Sequence, residues 1–354
     1  ASQVFNDEES IDLSMYSRTS LALDEKTKTL FIGGMGLQIY DVSNVKEPVF
    51  LKGYLNDKFE DKRVSISTFQ RNEICLSADG KVLFIANGTL DAYDISNPRD
   101  LKKISSLETK SSVRALHLSK DSQTIYLLGT SEEKEMIFEE VDISDSNSLL
   151  MKESYNLGYK SKESPWILAV SPGETKFYIF MVDDYYNPDL VVFDSVKKRT
   201  IKNERVLIEK TQKMILSPDG KTLITGSDNQ FMIIELFLDY PNTEVFGSST
   251  DVISRLPLGS YFDKMQLSPD SQTLFILRRA EKDKQKAGHI FEIWDMREIN
   301  TPQILSKIDF YDSISQMVFT NNYNTVYLVG RGRITVLDIS KKSSPIVKQN
   351  YTNE

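Results

Sequence analysis

Residues 76–85 read Leu-Ser-Ala-Asp-Gly-Lys-Val-Leu-Phe-Ile, and residues 92–98 read Ala-Tyr-Asp-Ile-Ser-Asn-Pro after a tight Asn87-Gly88 turn. Variants of this phrase occur seven times along the 354 residues, at steps of 42 to 53 residues. The residue that opens the first turn of each copy is Asp24, Ser77, Ser119, Ser171, Ser217, Ser268 or Thr320. Repeats of this period are typical of solenoids and propellers, so they decide how the rest of the chain is interpreted.

Turn signals divide each copy into four short strands. Asp-Gly turns supply a residue that tolerates positive φ, and Asn-Gly is a strong signal for a two-residue hairpin. The third strand of each copy ends at an acid such as Asp94, which we expect to accept backbone N–H bonds at the turn. Because an acid recurs there in every copy, we interpret it as part of the fold and not as a catalytic group. Seven such units predict an all-β, seven-bladed β-propeller with four antiparallel strands per blade.

The chain resembles the bacterial-type propellers of the LVIVD and YVTN repeat families, within the lactonase-like propeller superfamily. The resemblance rests on residues 36–44 (Gly-Leu-Gln-Ile-Tyr-Asp-Val-Ser-Asn), on residues 92–98 and on residues 334–340 (Ile-Thr-Val-Leu-Asp-Ile-Ser). It extends over nearly the whole chain, although the fifth copy has Glu235 for aspartate and lacks the Ser-Asn-Pro that follows. The resemblance implies the fold and not one function, since such propellers include lactonases, sensors, and adhesion or scaffold modules.

The repeat predicts one β-propeller domain over residues 16–354, after an N-terminal extension at residues 1–15. The blades are expected to begin near residues 16, 69, 112, 164, 210, 261 and 313, and the first blade should contact the last. If Ala1 is a processed N-terminus, the protein is expected to be secreted, periplasmic or at the cell surface. A sensor domain cut from a larger membrane receptor is an alternative.

Composition narrows the function classes. The formal net charge of -8 and the pI near 5.1 argue against a general nucleic-acid binder, whose affinity depends on a basic surface. No apolar run approaches the length of a membrane span, so no membrane insertion is expected. The single cysteine, Cys75, lies in an apolar inner strand, where we expect it to act as a small buried hydrophobe.

Function is expected where the copies differ. The distance from the start of the second strand to the closing acid is 11 or 12 residues in four copies, 17 in the third and fourth, and 21 in the sixth. The connections at residues 56–67 and 239–262 are also long. The family resemblance implies that all five insertions lie on one face of the propeller. Insertions gathered on one face are a common mark of a binding surface.

Two insertions carry the candidate contacts for a protein partner. Tyr185 and Tyr186 would be exposed aromatic anchors, and Arg278 and Arg279 begin a basic hairpin that would suit an acidic partner. A solvated hairpin tip is the plainer alternative for the basic segment. No cofactor is expected, although a less favoured interpretation is a Ca²⁺ site with ligands from Asp183, Asp184 and Asp189.

The inner strands become polar where they approach one mouth of the central channel. In each copy, the residues four and five positions before the turn-opening residue are expected to converge at this mouth. A ring of mixed charge there could hold a small polar ligand. Ordinary hydration of a water-filled channel is the alternative. The candidate residues at the mouth are Asn72, Glu73, Arg114, Trp166, Lys213, Asp263 and Lys264.

Two function classes follow. The favoured one is a non-enzymatic binding module or scaffold that holds a protein partner on the insertion-rich face. The alternative is a lactonase-like hydrolase, or a sensor of a small polar ligand, with its site at the channel mouth. The enzyme class has little direct support, because the chain has two histidines, His117 and His289, and no nucleophile elbow, metalloprotease or phosphate-loop motif.

Overall fold

The computed structural model describes residues 20–34, 36–55, 72–160, 167–182, 188–202, 213–226, 230–235, 252–257, 262–280, 288–311, 313–330 and 333–352. The secondary-structure elements in these residues are 28 β-strands, which form seven four-stranded antiparallel sheets. The chain is therefore all-β, with the predicted number of blades and of strands per blade. Among the described residues, no helix is long and apolar enough to cross a membrane.

Each blade is built from four strands that are consecutive in the sequence. Blade 1 contains β1 (Ser20–Asp24), β2 (Thr29–Gly33), β3 (Gly36–Asp41) and β4 (Val49–Leu55). Blade 2 contains β5 (Glu73–Leu76), β6 (Val82–Ala86), β7 (Thr89–Asp94) and β8 (Lys102–Glu108). Blade 3 contains β9 (Ser112–Leu118), β10 (Thr124–Thr130), β11 (Glu135–Asp142) and β12 (Leu150–Lys160).

The remaining four blades have the same order. Blade 4 contains β13 (Ile167–Val170), β14 (Lys176–Val182), β15 (Pro188–Asp194) and β16 (Arg199–Lys202). Blade 5 contains β17 (Lys213–Leu216), β18 (Thr222–Gly226), β19 (Gln230–Glu235) and β20 (Val252–Pro257). Blade 6 contains β21 (Phe262–Leu267), β22 (Thr273–Arg279), β23 (His289–Asp295) and β24 (Gln303–Phe310). Blade 7 contains β25 (Ile314–Phe319), β26 (Thr325–Gly330), β27 (Arg333–Asp338) and β28 (Ile346–Thr352).

The blades close into a ring. The first strand of each blade contacts the first strand of the next, and β25 of blade 7 contacts β1 of blade 1. The last seam also has its own apolar cluster, in which Leu30 and Ile32 of blade 1 pack with Tyr327 and Val329 of blade 7. The expected contact between the first and last blades is therefore present.

The recurring phrase folds as a side-chain-locked turn. In blade 2, the Ser77 hydroxyl donates to Asp79 Oδ1 at 2.6 Å and accepts from the Val82 N–H at 3.0 Å. Gly80 supplies the left-handed residue of this turn, with φ of 71°. Blades 3, 5 and 6 repeat the same serine–aspartate bond, which explains why the phrase is needed in copy after copy.

The closing acid of the third strand is also structural, as predicted from its recurrence. Asp94 accepts from the Ser96 N–H at 2.8 Å, and Asp338 accepts from both the N–H and the hydroxyl of Ser340. The hydrogen bonds from Ser340 lower the pKa of Asp338 to about 2. These carboxylates hold the turn that leads into the outermost strand.

The core lies between the blades, because both faces of each sheet pack on a neighbour. Between blades 3 and 4, the ring centroids of Phe138 lie 4.7 Å from those of Phe177 and Phe193. Cys75 packs against the cluster between blades 2 and 3, where burial raises the pKa of its thiol to about 12. This placement agrees with its expected role as a small hydrophobe.

Close packing also determines which residue can end the second strand of blade 7. A Cβ added to Gly330, the last residue of β26, would lie 1.9 Å from the carbonyl oxygen of Ser313. No side chain fits that gap, so glycine is required for the inner strand of blade 7 to pair with β26.

Candidate functional site

The two faces of the propeller differ in what they carry. The inner strands begin on one face, here called the entry face, which also carries the loops between second and third strands and the connections between blades. The opposite, exit face carries the serine–aspartate turns and the turns after the closing acids. The insertions predicted from sequence therefore attach to strand ends on the entry face, which agrees with the placement implied by the family resemblance.

β-bulges shape the mouth of the channel at the entry face. Arg114 in blade 3, Asp263 in blade 6 and Ser315 in blade 7 are each skipped in the pairing between the first and second strands of their blade. A bulge bends the strand and redirects the side chain of the extra residue. The mouth residues therefore do not continue the regular alternation of the strands below them.

Glu73 and Lys264 are brought together from opposite parts of the ring. Glu73 begins β5 in blade 2, and Lys264 lies in β21 of blade 6, so the two blades are not neighbours. Burial lowers the pKa of Lys264, and the charge of Glu73 partly offsets that effect. The charge of Glu73 therefore acts on Lys264 from a blade that is not its neighbour.

Two further cations come from other blades at the same level. Arg114 of β9 is half-buried, and burial lowers the pKa of its guanidinium. Lys213 begins β17 and is also half-buried. With Lys264, these residues give the described part of the mouth three cations, although the chain as a whole is acidic.

Asn72 holds two blades together at the mouth. Its side-chain amide donates to the Gly36 carbonyl at 3.1 Å, and its carbonyl oxygen accepts from the Asn87 amide at 2.8 Å. Its backbone N–H donates to the Gly34 carbonyl. Only 2% of Asn72 is exposed, so its geometry favours a structural tie between blades 1 and 2.

Asp263 is engaged within its own blade. One carboxylate oxygen lies 2.9 Å from His289 Nε2 and 3.7 Å from Arg279 Nε. His289 in turn accepts from the Ile314 N–H through Nδ1, which reaches into blade 7. Asp263 therefore orients a histidine at the seam of blades 6 and 7, in addition to lying near the mouth.

Arg278 does not extend into the basic hairpin as a solvated side chain. It is 7% exposed, and its guanidinium donates twice to Glu292 Oε1, at 2.7 and 3.1 Å. The other oxygen of Glu292 accepts from Trp294 Nε1 at 3.0 Å. The expectation that Arg278 contacts a partner is corrected here, because the residue is buried in blade 6; its neighbour Arg279 is exposed.

The remaining predicted residues lie outside the described side chains. Trp166, Tyr185, Tyr186, Asp183 and Asp184 fall outside the described residues. For Asp189, the structure describes only its backbone, which pairs with Met181 in blade 4. Across the residues that are described, no group of three or more histidine, cysteine, aspartate or glutamate side chains could hold a metal ion.

A row of buried polar residues in the third strands was not anticipated. It lies three residues before the closing acid and comprises the buried residues Gln38, Glu139, Glu292 and Thr335 together with Asp91, which is half-buried. Glu139, for example, is fully buried and accepts from the Lys110 N–H at 2.8 Å and from the Ser111 hydroxyl at 2.7 Å. An acid within an otherwise apolar strand is the signal in the sequence that could have identified this row.

Histidine 117 has a structural setting. Its Nε2 lies 3.0 Å from Glu174 Oε1, and the same oxygen accepts from the Lys120 N–H at 2.9 Å. Glu174 belongs to the exit turn of blade 4, where it has a φ of 54°. This contact joins blades 3 and 4 on the exit face, far along the strand from the entry mouth.

Comparison with known proteins supports the architecture. The LVIVD repeat family model matches residues 322–353, which cover the end of blade 7. No curated protein matches the chain in sequence. The family match and the seven four-stranded sheets agree with the resemblance identified from the sequence.

Solved structures with similar folds are distant in sequence. A chain of the mitotic checkpoint complex has 12% identity and a TM-score of 0.60, covering 93% of this chain and 90% of that one. The Cps50 (Swd1) β-propeller domain of Myceliophteria thermophila has 11% identity and a TM-score of 0.62, covering 95% and 99%. A putative 6-phosphogluconolactonase from Bacteroides fragilis has 12% identity and a TM-score of 0.58, covering 94% of each. These likenesses show a shared propeller fold.

Proposed function

We propose that this seven-bladed propeller is a non-enzymatic binding module that holds a protein partner on its entry face. The observation that carries the proposal is that two strands of blade 6, β22 and β24, end on the entry face with an exposed arginine and an exposed tyrosine. The side chain of Arg279 is 54% exposed, and Tyr311 is 75% exposed. Arginine and tyrosine are enriched among the residues that dominate interface energetics.

A rigid sheet supports this pair. Arg279 is paired in register with His289, which is paired with Phe310, the residue before Tyr311. Two strand spacings place the backbones of Arg279 and Tyr311 about 10 Å apart. Because the strands fix both positions, a partner would order little backbone on binding, which favours affinity.

The strands that flank two of the insertions end on the same face. The hairpins that carry residues 183–187 and 281–287 both leave the blades at the entry face, since β14 and β22 end there. Tyr185 and Tyr186 lie outside the described residues and remain proposed partner contacts, as does the exposed Arg279. One of the similar folds was solved within the mitotic checkpoint complex, which supports the idea that a propeller of this shape can serve in a protein assembly.

Crosslinked capture of partners from the source cells tests the proposal. The double variant Arg279→Ala/Tyr311→Ala should lose a partner that the unchanged protein retains. The matched control Val196→Ala/Lys341→Ala removes two exposed side chains from the exit face and should retain that partner. Equal recovery with all three proteins, or loss with the control alone, would contradict an entry-face interface.

A second function is favoured by one specific observation, the effect of the Glu73 charge on Lys264. Arg114 and Lys213 add two further cations at the start of the inner strands of other blades. Cations in a concave site suit an anionic substrate, and a lactonase-like hydrolase would place its reaction here. The test is hydrolysis of 6-phosphogluconolactone, the substrate suggested by the name of one structural neighbour. Turnover that is lost in Glu73→Gln and Lys264→Ala would favour the enzyme over the binding module.

A further inference from the structure

The exit end of the channel contains a cavity that is chemically unlike the entry mouth. Its volume is about 310 Å³, and it lies between the inner strands of blades 4, 5 and 6. It is lined by Leu168, Ala169, Val170, Met214, Ile215 and Leu216, with Pro218, Gln266, Leu267, Pro269 and Tyr323 at its margins. None of these lining residues is charged, and polar and apolar atoms contribute about equally to the exposed lining, so the cavity favours a neutral occupant that has both apolar and polar groups.

Two polar side chains, Gln266 and Tyr323, line this cavity. Gln266 Nε2 donates to the Tyr323 hydroxyl at 3.1 Å and to the Leu267 carbonyl at 3.2 Å. The two amide protons of Gln266 are therefore used. Within the part of the chain that the structure describes, no donor reaches Gln266 Oε1 and no acceptor takes the Tyr323 hydroxyl proton. The cavity thus offers one acceptor and one donor side by side.

Tyr323 lies at the cavity in the left-handed position of the blade 7 turn, with φ of 53°. Blades 2 and 5 have glycine at the equivalent position, whereas blades 3, 4 and 6 have Ser122, Glu174 and Ser271 there, so the conformation belongs to the repeated turn. The Tyr323 ring stacks on Phe319 at a centroid distance of 5.1 Å, which fixes the hydroxyl towards blade 6.

We propose that the exit cavity is a binding site for a neutral small molecule of one or two rings that carries a single hydroxyl group. The ligand hydroxyl would accept from Tyr323 and donate to Gln266 Oε1, while its rings pack against Leu168 and Met214. The size is reasonable, because a dry apolar cavity of about 150 Å³ accommodates one benzene ring. This site is distinct from the entry face and does not depend on the function proposed for that face.

Titration with 2-naphthol, followed by calorimetry and by saturation-transfer NMR, tests the site. The unchanged protein should bind 2-naphthol more tightly than naphthalene, and should not bind the anion 2-naphthoate at the same site. Tyr323→Phe should weaken 2-naphthol binding by about three- to ten-fold, since it removes one hydrogen bond. Ala169→Trp should fill the cavity and abolish binding.

Matched variants separate the site from effects on folding. Tyr323→Gly introduces the residue that blades 2 and 5 have at this turn position and removes the cavity wall, so it should lose 2-naphthol while remaining folded by circular dichroism. Ser122→Gly changes the equivalent left-handed residue of blade 3, far from the cavity, and should bind normally. Lys264→Ala at the entry mouth should also bind normally. Absence of 2-naphthol binding to the unchanged protein, or equal binding by folded Ala169→Trp, would overturn the proposal.

Discussion

His289 lies with its Nε2 atom 2.9 Å from Asp263 Oδ2, at the seam between blades 6 and 7. Its other ring nitrogen accepts from the Ile314 N–H at 3.2 Å, so the neutral ring carries its proton on Nε2. One imidazole thereby connects a bulged mouth residue of blade 6 to the first residue of the next inner strand.

Loss of this imidazole should weaken the seam. We expect His289→Ala to lower the free energy of unfolding by about 1–3 kcal/mol, because it leaves the backbone N–H of Ile314 without its acceptor and removes the close contact with the Asp263 carboxylate. Urea denaturation of both proteins measures the change. The control is His117→Ala, which alters the other histidine, 33% exposed, and should cost less than about 1 kcal/mol. Equal losses from the two variants would contradict a special role for the seam.

Adjacent arginines in β22 should respond very differently to truncation. Arg278→Ala leaves Glu292 charged and buried in blade 6, and we expect a loss of about 3–5 kcal/mol in the free energy of unfolding. Arg279→Ala removes an exposed contact and should change it by at most about 1 kcal/mol. Chemical denaturation distinguishes the two. A mild effect of Arg278→Ala would mean that the buried pair contributes little.

The closing acids predict a loss of stability in strong acid. Hydrogen bonds from Ser340 lower the pKa of Asp338 to about 2, and those from Arg297 lower the pKa of Asp295 to about 2, from an ordinary value of 3.8. A depressed pKa means that the stabilisation is complete above about pH 4 and is lost as the pH falls towards 2. Thermal unfolding from pH 7 to pH 2 should show the decline in that window. Asp338→Asn should reduce its slope, whereas an unchanged slope would show that other groups cause the loss.

Gly330 should tolerate no side chain. Gly330→Ala would place a carbon against the Ser313 carbonyl, and we expect a loss of at least about 1–3 kcal/mol. The control is Gly173→Ala in the blade 4 turn, where the added carbon would meet atoms no closer than 3.9 Å. Differential scanning calorimetry should show a lower melting temperature for the first variant only. A similar temperature for both would contradict the close packing of β25 on β26.

The fold was predictable from the sequence because its rules are local. The bonds between Ser77 and Asp79, and between Asp94 and Ser96, join residues two positions apart, so repetition of the motif was sufficient to identify the turns. The strand content and blade number followed from those turns. The closing acids of the third strands were correctly predicted to be structural and not catalytic, because the same turn needs an acid in each copy.

The site was less predictable because its contacts are not local. Glu73 could be placed near the axis from its strand position, but its interaction with Lys264 depends on how the ring brings blades 2 and 6 into opposition. Arg278 and Arg279 are neighbours in the sequence, yet the alternation of β22 buries one and exposes the other. The exit cavity depends on how the inner strands of blades 4, 5 and 6 approach one another, which no local motif specifies.

Because every described blade consists of consecutive strands, no sheet among the described residues is shared between the two ends of the ring. The seam at blades 7 and 1 is held by the same kind of side-chain packing as the other seams. Duplication or deletion of one repeat in a gene would therefore add or remove an entire blade without leaving a broken sheet. Circular permutation at residues 161–166, between blades 3 and 4, should likewise preserve the described strand pairings. The blades could therefore be encoded in a different starting order and still form the same propeller.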